Sequence, residues 1–232
     1  MDRESGTGSM ERNGQEAEPG KKGKFIAFEG IDGSGKSTQI RMLADRLKKE
    51  NVDYYMTMEP TEAPIGVMLR QILRGKMKAD NRVIAALFAA DRLDHLLNEE
   101  NGIAAKIERG TTVITDRYYF SSYAYHSVDM PMEWVIQANE QSAGILRPTV
   151  TVFIDVDPDT AMERIIRNRE QQELYEKKSR LTEVRKKYME AFDRLKEVER
   201  VVIVDGNGSP EQTAAAVWKE IADFFSGPAG CL

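Results

Sequence analysis

The feature that most constrains this chain is a glycine-rich segment that follows an apolar run and precedes a helix-like stretch. The segment reads Gly-Ile-Asp-Gly-Ser-Gly-Lys-Ser over residues 30–37, which fits the phosphate-binding loop (P-loop) pattern G-x-x-x-x-G-K-[ST]. In this pattern a strand directs a turn of backbone N–H groups at a helix N terminus, where the helix dipole adds positive potential. The segment therefore predicts a phosphate site and an α/β fold.

The polar residues of this loop predict how ATP and Mg²⁺ would bind. Lys36 is expected to reach the β- and γ-phosphates, and the Ser37 hydroxyl is expected to bind Mg²⁺. The alternative is a glycine-rich turn with a chance lysine, and the flanking strand and helix patterns argue against it. The residues expected to contact ATP are Gly30, Gly33, Ser34, Gly35, Lys36, Ser37 and Thr38.

Composition restricts the classes of partner. The chain has 232 residues, of which 41% are hydrophobic and 31% charged, which is typical of a globular protein. Its net charge of −5 argues against a nucleic-acid polymer as partner, because such binders usually carry a basic surplus. No apolar run is long enough for a membrane span. The single cysteine, Cys231, allows no intrachain disulfide and favours a cytoplasmic location.

Apolar runs and amphipathic stretches alternate along the chain. Residues 1–22 are expected to be a disordered tail, and residues 23–232 one domain. β-like runs lie at residues 24–28, 53–58, 111–115, 150–155 and 201–205. Helical patterns lie at residues 38–50, 65–73, 83–108, 131–142, 158–167, 180–197 and 210–225. This alternation predicts a five-stranded parallel sheet with helices on both faces and ligands beyond the carboxyl ends of the strands.

Polar side chains follow the third predicted strand. Asp116 comes directly after the run Thr-Thr-Val-Ile-Thr, and Arg117 follows it. A carboxylate at a strand end beside a P-loop suits Mg²⁺, and an adjacent guanidinium suits a phosphate, which it binds bidentately. An Asp-Arg pair alone would more often be a surface ion pair, but its place at a strand end favours a functional role.

Four segments in order resemble one family. They are the P-loop with Asp at its third position, Glu59-Pro60, the run Phe-Ala-Ala-Asp-Arg at 88–92, and the run Asp-Arg-Tyr-Tyr-Phe-Ser-Ser-Tyr-Ala-Tyr at 116–125. Together they resemble the thymidylate kinases over residues 24–225. The resemblance implies a three-layer P-loop kinase fold with a short lid at about residues 164–180. It also implies Mg²⁺-dependent transfer of the ATP γ-phosphate to dTMP, a role in dTTP biosynthesis, and a homodimer.

The resemblance also assigns roles to individual residues. Asp32 would accept a hydrogen bond from the 3′-OH of the acceptor sugar, and Tyr125 would exclude a ribose 2′-OH. Phe88 would stack on the pyrimidine, and Arg92, one helical turn later, would bind the base edge. The residues implied in dTMP binding are Asp32, Glu59, Arg70, Phe88, Arg92, Arg117, Ser121 and Tyr125. The catalytic residues implied are Lys36, Arg117, Arg167, Arg169 and Asp32, with Ser37 and Asp116 at the metal.

The lid assignment rests on a difference within the family. Some members carry a catalytic arginine in the P-loop, whereas others have glycine there and use lid arginines. This chain has Gly33 at that position, so the resemblance implies that the lid supplies Arg167 or Arg169. Spacing alone does not choose between them, although Arg167 is favoured. Leu174 stands where members often have arginine, which is a departure from the family pattern.

Two other functions remain open on the sequence. One is a kinase of the same fold with another acceptor, dUMP or a deoxynucleoside. A nucleoside kinase needs a carboxylate base near the 5′-OH, and Glu29 is the obvious candidate. The other is a regulatory P-loop ATPase, which would hydrolyse ATP without an acceptor. His95 is expected to be structural.

Overall fold

The computed structural model describes residues 22–99, 101–166 and 174–225, with only the backbone course for residues 166 and 174–177. Its strands form one sheet in the order β2-β3-β1-β4-β5, and every neighbouring pair is parallel. This confirms the predicted five-stranded parallel sheet. The strands are β1 (Phe25–Glu29), β2 (Tyr54–Met58), β3 (Thr112–Asp116), β4 (Val150–Asp155) and β5 (Val201–Asp205).

Helices cover both faces of the central strands. All residues of β1 are buried, and so are those of β3 and β4 up to their last residue. Successive side chains of a strand point to opposite faces, so burial at every position requires cover on both sides. The apolar, β-branched runs of the sequence reflect this double burial.

The helices agree with most of the predicted ranges. Asp80 caps α3 through its side chain, and Ser209 forms a capping box with Gln212 at the start of α9. The helices are α1 (Lys36–Lys49), α2 (Pro64–Leu73), α3 (Asn81–Leu97), α4 (Ile103–Glu108), α5 (Tyr119–His126), α6 (Met132–Ile145), α7 (Pro158–Ile166), α8 (Leu174–Leu195), α9 (Pro210–Ile221) and a 3₁₀ helix (Ala222–Phe224).

The helices differ from the sequence analysis in two places, one predicted wrongly and one not predicted. The single helix predicted over residues 83–108 is broken into α3 and α4, because Asn98 leaves the helical conformation and Gly102 starts the second helix. The polar string Asn-Glu-Glu-Asn-Gly at 98–102 is typical of such a break. Helix α5 was not predicted, because its aromatic and serine residues are weak helix formers and nearly all are buried.

The sheet topology places the P-loop between diverging connections. Strand β1 lies between β3 and β4, so the chain turns to opposite sides of β1 as the sheet is built. At such a switch point the carboxyl ends of the strands leave a crevice for a ligand. Glu29, Asp116 and Asp155 are the last residues of these three strands. No helix within the described ranges is both long and apolar enough to cross a membrane.

Candidate active site

The P-loop joins β1 to α1, as predicted, and glycine is required at two of its turns. Gly30 has φ 149°, and a Cβ there would lie 2.8 Å from the Ile154 carbonyl oxygen. Gly33 has φ 81°, and a Cβ there would lie 2.5 Å from the Ala161 carbonyl oxygen. No side chain caps the start of α1, which leaves the helix N terminus to bind an anion. Thr38 is exposed on the first turn.

Lys36 lies folded over its own loop. Its side chain is buried, and Nζ donates hydrogen bonds to the carbonyl oxygens of Gly30 at 3.1 Å and Ile31 at 3.3 Å. Burial, followed by the positive charge of Arg117, lowers the pKa of Lys36 to about 8. A bound triphosphate would therefore meet a cation that needs an anionic partner.

The predicted metal ligands lie together beside the loop. The Ser37 hydroxyl donates to Oδ2 of Asp116 at 3.0 Å. The other oxygen, Oδ1, is buried and has no hydrogen-bond partner among the described residues. A hydroxyl and a carboxylate suit Mg²⁺, which takes its remaining ligands from phosphates and water. The residues present thus fit a nucleotide-bound Mg²⁺.

Arg117 faces the P-loop from the end of β3. Its backbone has φ 73°, a left-handed conformation that is unusual for a residue with a side chain. Its Nη2 atom contacts Oδ1 of Asp32 at 2.6 Å and donates to the Tyr125 hydroxyl at 3.3 Å. The same hydroxyl accepts from the Asp32 amide at 3.1 Å. The structure thus brings Asp32, Arg117 and Tyr125 together, although 85 positions separate the first two.

Arg92 is held in a buried ion pair. Only 1% of its surface is exposed, and its Nη2 and Nε atoms lie 2.7 and 2.9 Å from Oε2 of Glu59. Nη1 donates to the Ser122 hydroxyl at 3.1 Å and to Oδ1 of Asn139. Oε1 of Glu59 also contacts Nδ1 of His95 at 3.2 Å. Arg92 and Glu59 therefore bind each other, and the contact of Arg92 with the base and of Glu59 with dTMP stay predictions.

Phe88 and Arg70 lie near this pair on α3 and α2. Phe88 is partly buried, and its ring centroid lies 5.2 Å from that of His126. Burial, aided by the charge of Arg92, lowers the pKa of His126 to about 4, so this neighbour is neutral at pH 7. Nη1 of Arg70 donates to the Pro60 carbonyl oxygen at 2.8 Å.

The hydroxyl of Ser121 lies between Arg117 and a second carboxylate. It is 2.9 Å from Nη1 of Arg117 and 2.5 Å from Oε2 of Glu29. The Tyr188 hydroxyl, from α8, donates to Glu29 at 2.8 Å. Sequence reasoning missed Tyr188 and Asn139, because each stands alone in a helix of mixed composition. Ser122 lies within the run at 116–125 that resembles the family, and its position next to Ser121 could have indicated that it belongs to the site.

The two predicted lid arginines, Arg167 and Arg169, lie outside the described residues. Arg164, three residues before Arg167 in the sequence and on α7, donates from Nη2 to the Gly206 carbonyl oxygen at 2.9 Å and from Nη1 to the Ser34 carbonyl oxygen at 3.4 Å. It therefore links the P-loop to the turn after β5.

Comparison with known proteins decides the family. A sequence model described as thymidylate kinase matches residues 28–217. The chain belongs to the thymidylate kinase family. It is an ATP-dependent phosphotransferase that acts on dTMP, so the predicted family, enzyme class and function are confirmed. Neither another acceptor nor a regulatory ATPase is favoured by any of these matches.

Curated relatives agree over most of their length. A protein named thymidylate kinase from Symbiobacterium thermophilum is 39% identical over 194 residues, covering 81% of this chain and 87% of the relative. A protein named probable thymidylate kinase from Methanocaldococcus jannaschii is 38% identical over 203 residues, covering 87% of this chain and 95% of the relative.

Proposed function

We propose that this thymidylate kinase holds ATP in the P-loop and dTMP opposite it, with Arg117 between them. The observation that carries this proposal is the position of Arg117, whose guanidinium reaches Asp32 inside the loop from the end of β3. The acceptor phosphate is already an anion, so it needs no strong base to attack the γ-phosphate. Glu29, the candidate base of a nucleoside kinase, is fully buried and accepts four hydrogen bonds.

On the donor side, Lys36 would exchange its two loop carbonyls for the β- and γ-phosphates of ATP. The phosphates would then give the buried ammonium group an anionic partner in place of neutral carbonyl groups. Ser37 and Asp116 would hold Mg²⁺, directly or through water. When bound, this ion would neutralise charge on the β- and γ-phosphates. The chain's own contribution is to hold the donor in line with the acceptor.

On the acceptor side, Asp32 is the carboxylate best placed for the sugar 3′-OH, because half of its side chain (51%) is exposed. Tyr125, beside it, would exclude a 2′-OH. Phe88 would stack on the thymine, and Arg70 would bind the acceptor phosphate with Arg117. Arg92 would bind the base edge; its contacts with Glu59, Ser122 and Asn139 use four of the five N–H groups of its guanidinium.

We also propose that the transition-state arginine comes from the lid, as Arg167 or Arg169. Gly33 supports this assignment. A side chain there would meet the Ala161 carbonyl at 2.5 Å and would carry a strained φ of 81°. An arginine in the P-loop would therefore require a shift of α7. Positioning and charge stabilisation dominate phosphoryl transfer, so a site without a P-loop arginine needs the cation from elsewhere.

A homodimer is proposed from the exposed apolar residues of three neighbouring helices. Helices α2 and α6 both pack against α3, and all three expose large apolar side chains. Such side chains on adjoining helices are typical of a protein interface. Light scattering at assay concentration should give twice the chain mass, and a monomer mass would contradict the proposal. The exposed residues are Val67, Met68, Leu73, Val83, Leu97, Trp134 and Ile145. A cytoplasmic location stays a prediction from the single cysteine.

The proposed function is tested by measuring ADP formation with a panel of acceptors. We expect the highest kcat/KM with dTMP, a lower value with dUMP, and little turnover with thymidine or without acceptor. The Lys36→Ala variant serves as the blank for contaminating kinases. A higher rate with thymidine would indicate a nucleoside kinase, and acceptor-independent ADP release would indicate a regulatory ATPase.

A further inference from the structure

Glu29 is a buried carboxylate with an unusual number of donors. It ends β1, immediately before the P-loop, and is fully buried. Oε1 accepts from the backbone amides of Tyr118 at 2.8 Å and Ser121 at 3.1 Å. Oε2 accepts from the hydroxyls of Ser121 at 2.5 Å and Tyr188 at 2.8 Å. A buried carboxylate is costly unless such donors surround it, so this position is built to hold one.

The two amide contacts make Glu29 the cap of α5. The N-cap residue Tyr118 offers no capping side chain of its own. Glu29 accepts from the amide of this residue and from that of Ser121, the third residue of the helix, which are the two amides that a capping box satisfies. A carboxylate at a helix N terminus is also favoured by the helix dipole.

This cap supports the backbone of Arg117. Arg117 directly precedes the capped residue and has φ 73°. A left-handed residue with a side chain is strained and persists only where its surroundings hold it. The Arg117 amide donates to the Phe28 carbonyl oxygen at 2.9 Å, so β1 holds this turn through both Phe28 and Glu29.

The hydroxyl of Ser121 links Glu29 to the Arg117 guanidinium. A hydroxyl has one proton to donate. At 2.5 Å from Oε2 the Ser121 hydroxyl donates to Glu29, which leaves its lone pairs for Nη1 of Arg117 at 2.9 Å. The Tyr188 hydroxyl lies 2.9 Å from the same Ser121 hydroxyl and connects α8 to Ser121 and Glu29. Burial raises the pKa of the Glu29 carboxyl, opposed by these hydrogen bonds and by the charge of Arg117.

We propose that Glu29 is a positioning residue for phosphoryl transfer, which caps α5 and, through Ser121, orients the Arg117 guanidinium toward the P-loop. The proposal rests on the function proposed above, in which Arg117 binds the phosphate of dTMP. Glu29 does not touch either nucleotide in this role, and its influence on the reaction passes through Arg117.

The first test is the Glu29→Gln variant, which keeps the size of the side chain and removes its charge. We expect kcat/KM for dTMP to fall by roughly tenfold, with the KM for ATP within about twofold of the wild type. The matched control is Glu199→Gln, which alters another buried carboxylate that accepts from a tyrosine of α5, Tyr119, at 2.7 Å. Unchanged dTMP kinetics in Glu29→Gln would overturn the proposal.

The second test separates positioning from general stability. In an Arg117→Ala background, Glu29→Gln should lower kcat/KM for dTMP no further, because the group that it orients is gone. Effects that multiply would overturn the positioning role and leave the proposed function intact. If Arg117→Ala alone had no effect, the proposed role of Arg117 would fail as well. Should Glu29→Gln not fold, Ser121→Ala cuts the same link, and its effect should also vanish in the Arg117→Ala background.

Discussion

The donor and acceptor sides of this active site are built in different ways. The donor side is one continuous loop whose backbone turns at Gly30, Gly33 and Gly35 and leads directly into α1. The acceptor side is assembled from residues far apart in the chain, such as Asp32 and Arg117. The donor site thus depends mainly on local conformation, whereas the acceptor site depends on how the helices pack around the sheet.

The charges of the two sides differ in the same way. On the donor side Lys36 rests on carbonyl groups of its own loop, which a phosphate can replace without disturbing other elements. On the acceptor side Arg92 and Glu59 form an ion pair in which both side chains are 1% exposed. A buried pair resists the removal of either member, because the remaining charge has no solvent to stabilise it. The loss of a charge should therefore lower mainly activity at Lys36 and mainly stability at the Arg92–Glu59 pair.

Replacement of Glu59 should have the strongest consequence of these changes. In Glu59→Ala the buried Arg92 loses its carboxylate, and we expect the free energy of unfolding to fall by about 3–5 kcal/mol. Urea denaturation followed by circular dichroism measures this change. Glu62→Ala removes an exposed carboxylate three residues away and should change stability by less than about 0.5 kcal/mol. Equal stability of the two variants would mean that the buried Arg92–Glu59 pair contributes no more to stability than an exposed carboxylate does.

The loss of Lys36 should show the opposite pattern. We expect Lys36→Ala to lower kcat by about 10²–10³-fold, because one preorganised cation on the transferred phosphate is lost. Its unfolding midpoint should stay close to that of the wild type, because the hydrogen bonds described for the side chain go to carbonyl groups of its own loop. Lys49→Ala, at the exposed end of the same helix, is the control and should retain full activity. A large loss of stability in Lys36→Ala without loss of turnover would contradict this difference between the donor and acceptor sides.

The contrast also explains which parts of the site the sequence predicted. The P-loop and the Ser37–Asp116 contact follow from a local motif and from a rule about strand ends, and the structure has both. The group of Asp32, Arg117 and Tyr125 needed the family resemblance, because no local pattern joins them. The donors to Glu29 lie 89 to 159 positions away, beyond the reach of any spacing argument.

Phe88 offers a sharper test on the acceptor side. Stacking of a base on an aromatic ring contributes about 1–3 kcal/mol, so Phe88→Ala should raise the KM for dTMP by roughly tenfold. The KM for ATP should not change. Phe224→Ala, in the 3₁₀ helix near the C terminus, controls for the general loss of a partly buried ring. If only the KM for ATP moves, the base binds elsewhere.

The pH dependence of ADP binding tests the charge state of Lys36 on the donor side. Because burial and Arg117 lower the pKa of Lys36 to about 8 in the free protein, part of the protein has a neutral Lys36 above that pH. Bound phosphates favour the charged form, so binding takes up a proton, and affinity should fall by up to about tenfold per pH unit above about pH 8. Calorimetry with Mg²⁺ and ADP in buffers of different ionisation enthalpy measures both the affinity and the proton uptake.

The Lys36→Arg variant keeps its charge at every accessible pH and should remove the pH dependence. A flat affinity between about pH 7 and about pH 9 without proton uptake would show that Lys36 is already charged before binding. The loop carbonyls would then keep the Lys36 ammonium charged, as the carboxylates of the acceptor side do for their arginines.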